Sequence, residues 1–245
     1  MFDLTGRVAL VTGAGQNVGA GIARALAAQG ATVHVNDIVA DRARQTVDEI
    51  LGAGGTASAA PFDVTDYEMV GDAITAIGPV DILVNNAGNG GAEGMGLVQF
   101  RDSDPSGWSG PIDVNLFGVL HCSRAVINGM CDRGFGRVIT ISSGAGITGL
   151  RIGVSPYAAG KGGAIAFMRH LAIENARDGV TANSLALGLM QPDNSGPVDA
   201  LAKQIPVGRT GTPDDVGCAC VYLASNEASW VTGQTIHLDG GATFG

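Results

Sequence analysis

The feature that most constrains this chain is an alternation. Short runs of β-branched and aliphatic residues recur between longer stretches whose apolar residues repeat at helical spacing. Such a pattern requires each strand to return parallel to the last through a crossover helix, which excludes bundles, sandwiches and antiparallel barrels. Strands are expected over residues 7–12, 32–36, 56–62, 82–85, 137–142, 180–185 and 235–238. Helices are expected over 19–29, 41–51, 66–77, within 108–133, from near 157 to about 175, and over 214–224 with Pro213 at its start. The unbroken apolar runs Val8-Ala9-Leu10-Val11 and Ile82-Leu83-Val84 suit strands covered on both faces. The expected fold class is therefore α/β: a doubly wound parallel sheet of about seven strands with helices on both faces. No linker or low-complexity tract interrupts the 245 residues, so one domain over 1–245 is expected.

The 39 glycines are about twice the usual share, and because the aliphatic content is that of a packed protein, they point to tight turns and not to disorder. A formal charge of −9 without any basic run excludes a surface built for nucleic acid. No stretch of about 18 uninterrupted apolar residues offers a membrane span. Residues 1–7 enter a strand without a charged segment or a long apolar one, so a cytoplasmic location is expected. Cys122, Cys131, Cys218 and Cys220 are too sparse to be a disulfide framework and suit reduced thiols. Cys218 and Cys220 fall on different helix faces without a second ligand pair, so no metal site is expected.

The first strand runs into Thr12-Gly13-Ala14-Gly15-Gln16-Asn17-Val18-Gly19, and a helix follows. A glycine turn there delivers free helix N–H groups to an anion, which favours a pyrophosphate. Asp37 lies 18 positions after Gly19, behind the second strand, where a carboxylate meets the two hydroxyls of a ribose. It would repel a 2′-phosphate, no Arg or Lys at 36 or 38 compensates, and Gln16 is neutral, so NAD is expected over NADP. The alternative for Asp37 is a helix N-terminal cap.

Ser142-Ser143 closes the fifth strand, and Tyr157 and Lys161 stand at i and i+4 on the next helix, on one face. A tyrosine is a poor base at neutral pH, and an adjacent ammonium is expected to move its pKa downward.

These segments together resemble the short-chain dehydrogenase/reductase family, in its shorter single-domain branch, over nearly all of residues 5–241. The resemblance is carried by the Thr12–Gly19 turn, Asp63, Asn85-Asn86-Ala87-Gly88, Asn115, Ser143, Tyr157 with Lys161, Thr232-Gly233-Gln234 and Asp239-Gly240-Gly241. It implies a Rossmann-like oxidoreductase with Tyr157 as general acid in reduction and general base in oxidation, and Ser143 on the substrate oxygen. It further implies Lys161 on the nicotinamide ribose and Asn115 completing a proton relay. The cofactor would meet Gly13, Gln16, Asn17, Val18 and Asp37, with Asp63 and Val64 at the adenine and Asn86 with Gly88 behind the adenosine ribose. Asn17 stands where the family has a glycine, and Asn best tolerates the left-handed backbone required there. The family's Pro and Thr after the sixth strand are absent, which leaves Leu187 and Leu189 as the contacts expected there. Ser143 and Tyr157 are 14 apart, one more than the family spacing, which puts Gly144 at the strict position, and the intervening loop is expected to absorb the extra residue.

The expected substrate pocket lies at the carboxyl ends of the strands, lined by residues 91–96, 144–152 and 188–206, including Met95, Leu150, Ile152 and Met190. Without clustered Arg or Lys it suits a neutral, largely apolar ketone or alcohol. The alternatives are a 3-oxoacyl-thioester reductase and, in a different class, a non-catalytic dinucleotide-binding sensor. The resemblance also implies a homotetramer (or homodimer) through the helices near 108–133 and 157–175.

Overall fold

The computed structural model describes residues 1–88, 97–191 and 202–243. Its strands are β1 (Val8–Val11), β2 (Thr32–Val35), β3 (Thr56–Ala59), β4 (Ile82–Asn85), β5 (Gly136–Ser143), β6 (Val180–Leu187) and β7 (Thr235–Leu238). Its helices are α1 (Asn17–Ala28), α2 (Ala40–Gly52), α3 (Tyr67–Ile77), α4 (Ser109–Ile112), α5 (Gly118–Asp132), α6 (Ser155–Asn175) and α7 (Pro213–Ala224). The strands form one parallel sheet in the order β3-β2-β1-β4-β5-β6-β7. The chain runs outward from β1 to one edge and from β4 to the other. The connections leaving β1 and β4 therefore diverge, and a crevice opens at the strands' carboxyl ends.

Two apolar layers sandwich this sheet. In β1, Ala9 and Val11 face the layer of Ile22 and Leu26 (α1), Ile50 (α2) and Val216 (α7). Leu10 faces the layer of Val70 (α3), Val126 and Met130 (α5), and Met168 (α6). Each large side chain so buried contributes roughly 1.5–3 kcal/mol relative to exposure. On the first face α1 and α7 cross closely because small residues meet there: a Cβ on Gly21 would fall 2.4 Å from Pro213 Cβ. At the far end of the sheet, Phe135 lies between the guanidinium groups of Arg7 and Arg137, 3.5 and 4.3 Å from its ring centroid. Arg137 is buried and donates to the carbonyls of Gly136, Gly179 and Ser225, and desolvation together with Arg7 lowers its pKa to about 10.

Several boundaries differ from the sequence expectation. β3 stops at Ala59 and not at 62, because the Asn36 side chain takes the carbonyls of Ala60 and Phe62. β5 and β6 run on to Ser143 and Leu187 in continuous register. α6 opens at Ser155 with Pro156 in its first turn, where the missing N–H costs nothing. The long helix expected within 108–133 is interrupted: a π turn over Asp113–Phe117 separates α4 from α5 and carries Asn115. Among the described residues no helix is long and apolar enough to cross a membrane.

Candidate active site

The crevice begins at the turn between β1 and α1. Gln16 precedes α1 in extended backbone, and its side chain makes no cap to the first-turn amides. Asn17 adopts φ +50°, the left-handed conformation expected of it. Gly13 and Gly19 make a cradle that side chains would fill: a Cβ on Gly13 would fall 2.8 Å from Ala87 Cα, and one on Gly19 would fall 2.2 Å from the Gly13 carbonyl. Val18 packs against the core from this turn. A glycine cradle at a helix N-terminus fits the phosphates of a dinucleotide.

The turn is braced from behind. Thr12 Oγ1 accepts from the amides of Asn86 and Ala87 at 3.0 Å, and Asn86 Nδ2 donates to the carbonyls of Thr12 and Gly13 at 2.9 Å. The amide of Asn86, expected behind the ribose, is thus spent on shaping the glycine turn. Asn36 adds a second brace, accepting from Gly13 N at 3.2 Å while donating to Ala60 O and Phe62 O. Neither Thr12 nor Asn36 was singled out from the sequence as a site residue, since their partners are dozens of positions away.

Asp37 is 6% exposed, and both its oxygens are oriented: Oδ2 accepts from Gly15 N at 3.2 Å and Oδ1 from Val39 N at 2.9 Å. The residue capping α2 is Val39, so the N-cap alternative for Asp37 does not apply. After β3, at the position expected to meet the adenine, Asp63 Oδ1 accepts from the amide and hydroxyl of Thr65, both at 2.8 Å. Val64 is held from α5: a Cβ on Gly118 would fall 2.8 Å from Val64 Cγ2, and His121 Nδ1 lies 3.0 Å from the Val64 carbonyl.

The second cluster lies across the crevice. Ser143 ends β5, accepts from Ala145 N at 3.2 Å and hydrogen-bonds Tyr157 from the first turn of α6, so the longer loop between them is absorbed. Lys161, 5% exposed, donates from Nζ to the Ile141 carbonyl at 2.7 Å. Asn115 is fully buried, its Nδ2 donating to Pro111 O at 2.8 Å. A Cβ on Gly88 would fall 2.7 Å from Asn115 Oδ1 and 3.2 Å from Lys161 Nζ, so these three residues converge on one spot.

Electrostatics correct one expectation. Burial pushes the Tyr157 hydroxyl above its usual pKa, opposed by the Ser143 hydrogen bond, and Lys161 does not lower it. The ammonium lies 5.9 Å from the Tyr157 ring centroid and directs one of its three donors to Ile141 O. Lys161 itself is lowered to about 8 by desolvation.

Leu187 turns its side chain into the core, so its backbone is what it offers to the crevice. Leu189 is exposed and, with Met190, Val207, Arg209, Leu238 and Asp239, lines a cavity of about 170 Å³. Arg209 in that wall is matched by Asp215 through contacts of 2.6 and 2.8 Å. Leu150 and Ile152, expected in the lining, are exposed. Met95, with the rest of 91–96, and residues 192–201 of the expected lining lie outside the described residues.

A glycine cradle and a buried, oriented carboxylate on one side of a parallel-sheet crevice, with a Ser-Tyr-Lys-Asn cluster on the other, are the arrangement of a nicotinamide-dinucleotide oxidoreductase. The profile of a family described as Enoyl-(Acyl carrier protein) reductase matches residues 13–243. The chain is 36% identical over 249 residues to the 3-oxoacyl-[acyl-carrier-protein] reductase of Vibrio harveyi, covering 98% of both chains. It superposes on a 3-oxoacyl-[acyl-carrier protein] reductase with bound NAD from Brucella melitensis with a TM-score of 0.92, at 33% identity over 100% of this chain and 94% of that one. A gluconate 5-dehydrogenase from Burkholderia cenocepacia, in complex with NADP and tartrate, gives 0.87 at 35% identity over 98% and 96%. The chain belongs to the short-chain dehydrogenase/reductase family, and is an oxidoreductase acting on CH–OH or C=O groups.

Proposed function

We propose that this enzyme moves a hydride between NAD(H), in preference to NADP(H), and the carbonyl or secondary alcohol carbon of a neutral, largely apolar small molecule. The observation that carries the cofactor preference is Asp37: a buried carboxylate, oriented by two backbone amides beside the phosphate turn, suits a ribose diol and repels a phosphate. Gly13, Gln16, Asn17 and Val18 would hold the phosphates, Asp63 and Val64 the adenine, Asn86 and Gly88 the wall behind the adenosine ribose, and the Leu187–Leu189 backbone the nicotinamide end.

When bound, the reduced nicotinamide supplies the hydride. Tyr157 gives its hydroxyl proton to the substrate oxygen as that oxygen gains charge, and takes it back in the oxidative direction. Ser143, already bonded to Tyr157, holds the same oxygen. Lys161 and Asn115 converge at Gly88; Lys161 would take the proton onward, with Asn115 holding a water beside it, and Lys161 would also hold the nicotinamide ribose. Tyr157 holds its proton at neutral pH, as the acid of carbonyl reduction requires, and the Ser143 hydrogen bond opposes the loss of acidity that burial causes.

A second reading, reduction of a 3-oxoacyl thioester, is favoured by the Vibrio harveyi relative, which carries that activity in its name. A non-catalytic sensor is disfavoured by the assembled Ser-Tyr-Lys cluster. The chain would act as one domain in the cytoplasm, consistent with four unpaired cysteines. It would assemble as a homotetramer (or homodimer) through α6 and through α5 with the π turn before it, where Ile173 and Phe117 are exposed. The test follows oxidation of NADH and of NADPH with a panel of apolar ketones and acyl thioesters, alongside Tyr157→Phe. Turnover with NADH and an apolar ketone that the variant loses supports the reading. NADH binding without turnover of any panel member supports the sensor.

A further inference from the structure

We propose that Asp239 is a positioning residue for the nicotinamide end of the cofactor site: its carboxylate locks the turn over residues 239–243 into a backstop for the Gly188–Leu189 backbone. The inference rests on the reading of the Leu187–Leu189 backbone as the nicotinamide contact. The Asp239-Gly240-Gly241 run carries part of the family resemblance, yet no step of the proposed reaction uses it. Its geometry gives it a task.

β7 ends beside β6 with Leu238 paired to Leu187, and Gly188 N donates to the Leu238 carbonyl at 3.1 Å. Asp239 follows and lies directly against Gly188: a Cβ on that glycine would fall 2.6 Å from Asp239 Cβ and 2.8 Å from Asp239 Cα. From there the carboxylate reaches forward along the chain. Oδ1 accepts from Gly241 N at 2.9 Å, and Oδ2 accepts from Thr243 N at 3.0 Å and from the Thr243 hydroxyl. That hydroxyl gives its single proton to Asp239, so His237 Nδ1, 3.0 Å away, is the donor to its oxygen.

The turn tied in this way meets a second segment. Gly240 and Gly241 adopt φ +65° and +84°, which glycine reaches without strain. A Cβ on Gly240 would fall 2.7 Å from Ile205 Cγ2, and the Gly240 carbonyl accepts from Val207 N at 3.2 Å. Further along that segment, Gly211 N donates to the Leu189 carbonyl at 3.0 Å. Gly188 and Leu189 are thereby held by β7, by the Asp239 turn and by Gly211. Removing the carboxylate releases the amides of Gly241 and Thr243, and the surface on which Gly188 rests loses its shape. A contact backbone has to stay within about 0.5 Å of its productive place, so the nicotinamide end registers the change.

The experiment compares dissociation constants of NADH and of ADP-ribose, which lacks the nicotinamide, by isothermal titration calorimetry. The proteins are wild type, Asp239→Ala, Asp239→Asn and Thr243→Val, each with its melting temperature recorded. In Asp239→Ala, NADH binding weakens by about fivefold or more while ADP-ribose binding stays within about twofold of wild type. Asp239→Asn keeps the shape and one acceptor, and Thr243→Val removes only the hydroxyl bonds, so both lose less in the same direction. The proposal is overturned if NADH affinity is unchanged in every folded variant, or if both ligands weaken by the same factor, which would make Asp239 a residue of general stability. Should Asp239→Ala fail to fold, the other two variants carry the comparison. Wild-type protein that binds ADP-ribose as tightly as NADH overturns the reading of the nicotinamide contact itself, a separate result read before any variant is compared.

Discussion

Lys161 holds an ammonium where water does not reach, and the cost of doing so can be measured. Burial lowers its pKa from 10.5 to about 8. Between those values the unfolded chain carries the proton and the native chain does not. Native stability attributable to this residue therefore rises with pH across that window, and below pH 8 the native state bears the full penalty. At 1.36 kcal/mol per unit, the penalty is about 3 kcal/mol. Lys161→Met keeps the unbranched stem, removes the charge and gives up the bond to Ile141 O, worth about 1 kcal/mol. At pH 7 the variant should be more stable than wild type by about 2 kcal/mol, which for a chain of this size raises Tm by roughly 4–8 °C. The advantage should shrink from pH 8 upward and end as a deficit of about 1 kcal/mol once the wild-type lysine is neutral in both states. Urea unfolding followed by circular dichroism at several pH values, at one fixed protein concentration, measures the difference. A wild-type-minus-variant difference that stays flat with pH, or a variant less stable at pH 7, refutes the argument. Either would mean that the ammonium is compensated inside the fold.

Ser143→Ala should move the pH dependence of alcohol oxidation to higher pH, because oxidation needs the phenolate and the Ser143 bond is what lowers the Tyr157 pKa; an unmoved limb in kcat/KM against pH contradicts this. Gly19→Ala should weaken NADH binding at least about tenfold, since the new methyl collides with the Gly13 carbonyl and displaces the cradle; calorimetry reads it. Arg137→Leu should destabilise by about 1–3 kcal/mol, because the Gly136 and Ser225 carbonyls lose a charged donor and Phe135 a ring contact while relief of the buried charge offsets part of the loss, as seen in urea midpoints. Asn17→Val should cost about 1–2 kcal/mol at φ +50°, while Asn17→Gly stays within about 1 kcal/mol of wild type in the same assay.

Much of the fold was legible because local pattern and global packing agree. Val8–Val11 reads as a doubly covered strand, and its residues do alternate between the two apolar layers. The cofactor turn was legible for a similar reason: its requirements for small residues and free amides are confined to eight consecutive positions. What escaped is what depends on distant partners. Asn36 binds Gly13, Ala60 and Phe62, and His121 reaches Val64 from 57 positions away, pairings that no window along the chain contains. The Tyr157–Lys161 pair shows a subtler limit. Helical spacing placed both on one face, yet it said nothing of where the ammonium points or how dry the phenol is, and burial reversed the expected direction of the pKa shift. The break in the long helix around Asn115 was likewise invisible, because the apolar period continues through the π turn.

The three hydrogen bonds of Asn36 carry a mechanical consequence. One amide group is the crossbar between the Gly13 turn and the segment that follows β3, so neither can drift without dragging the other. On the proposed reading these are the phosphate and adenine ends of the cofactor site, and the two ends would tighten or loosen together through this single side chain.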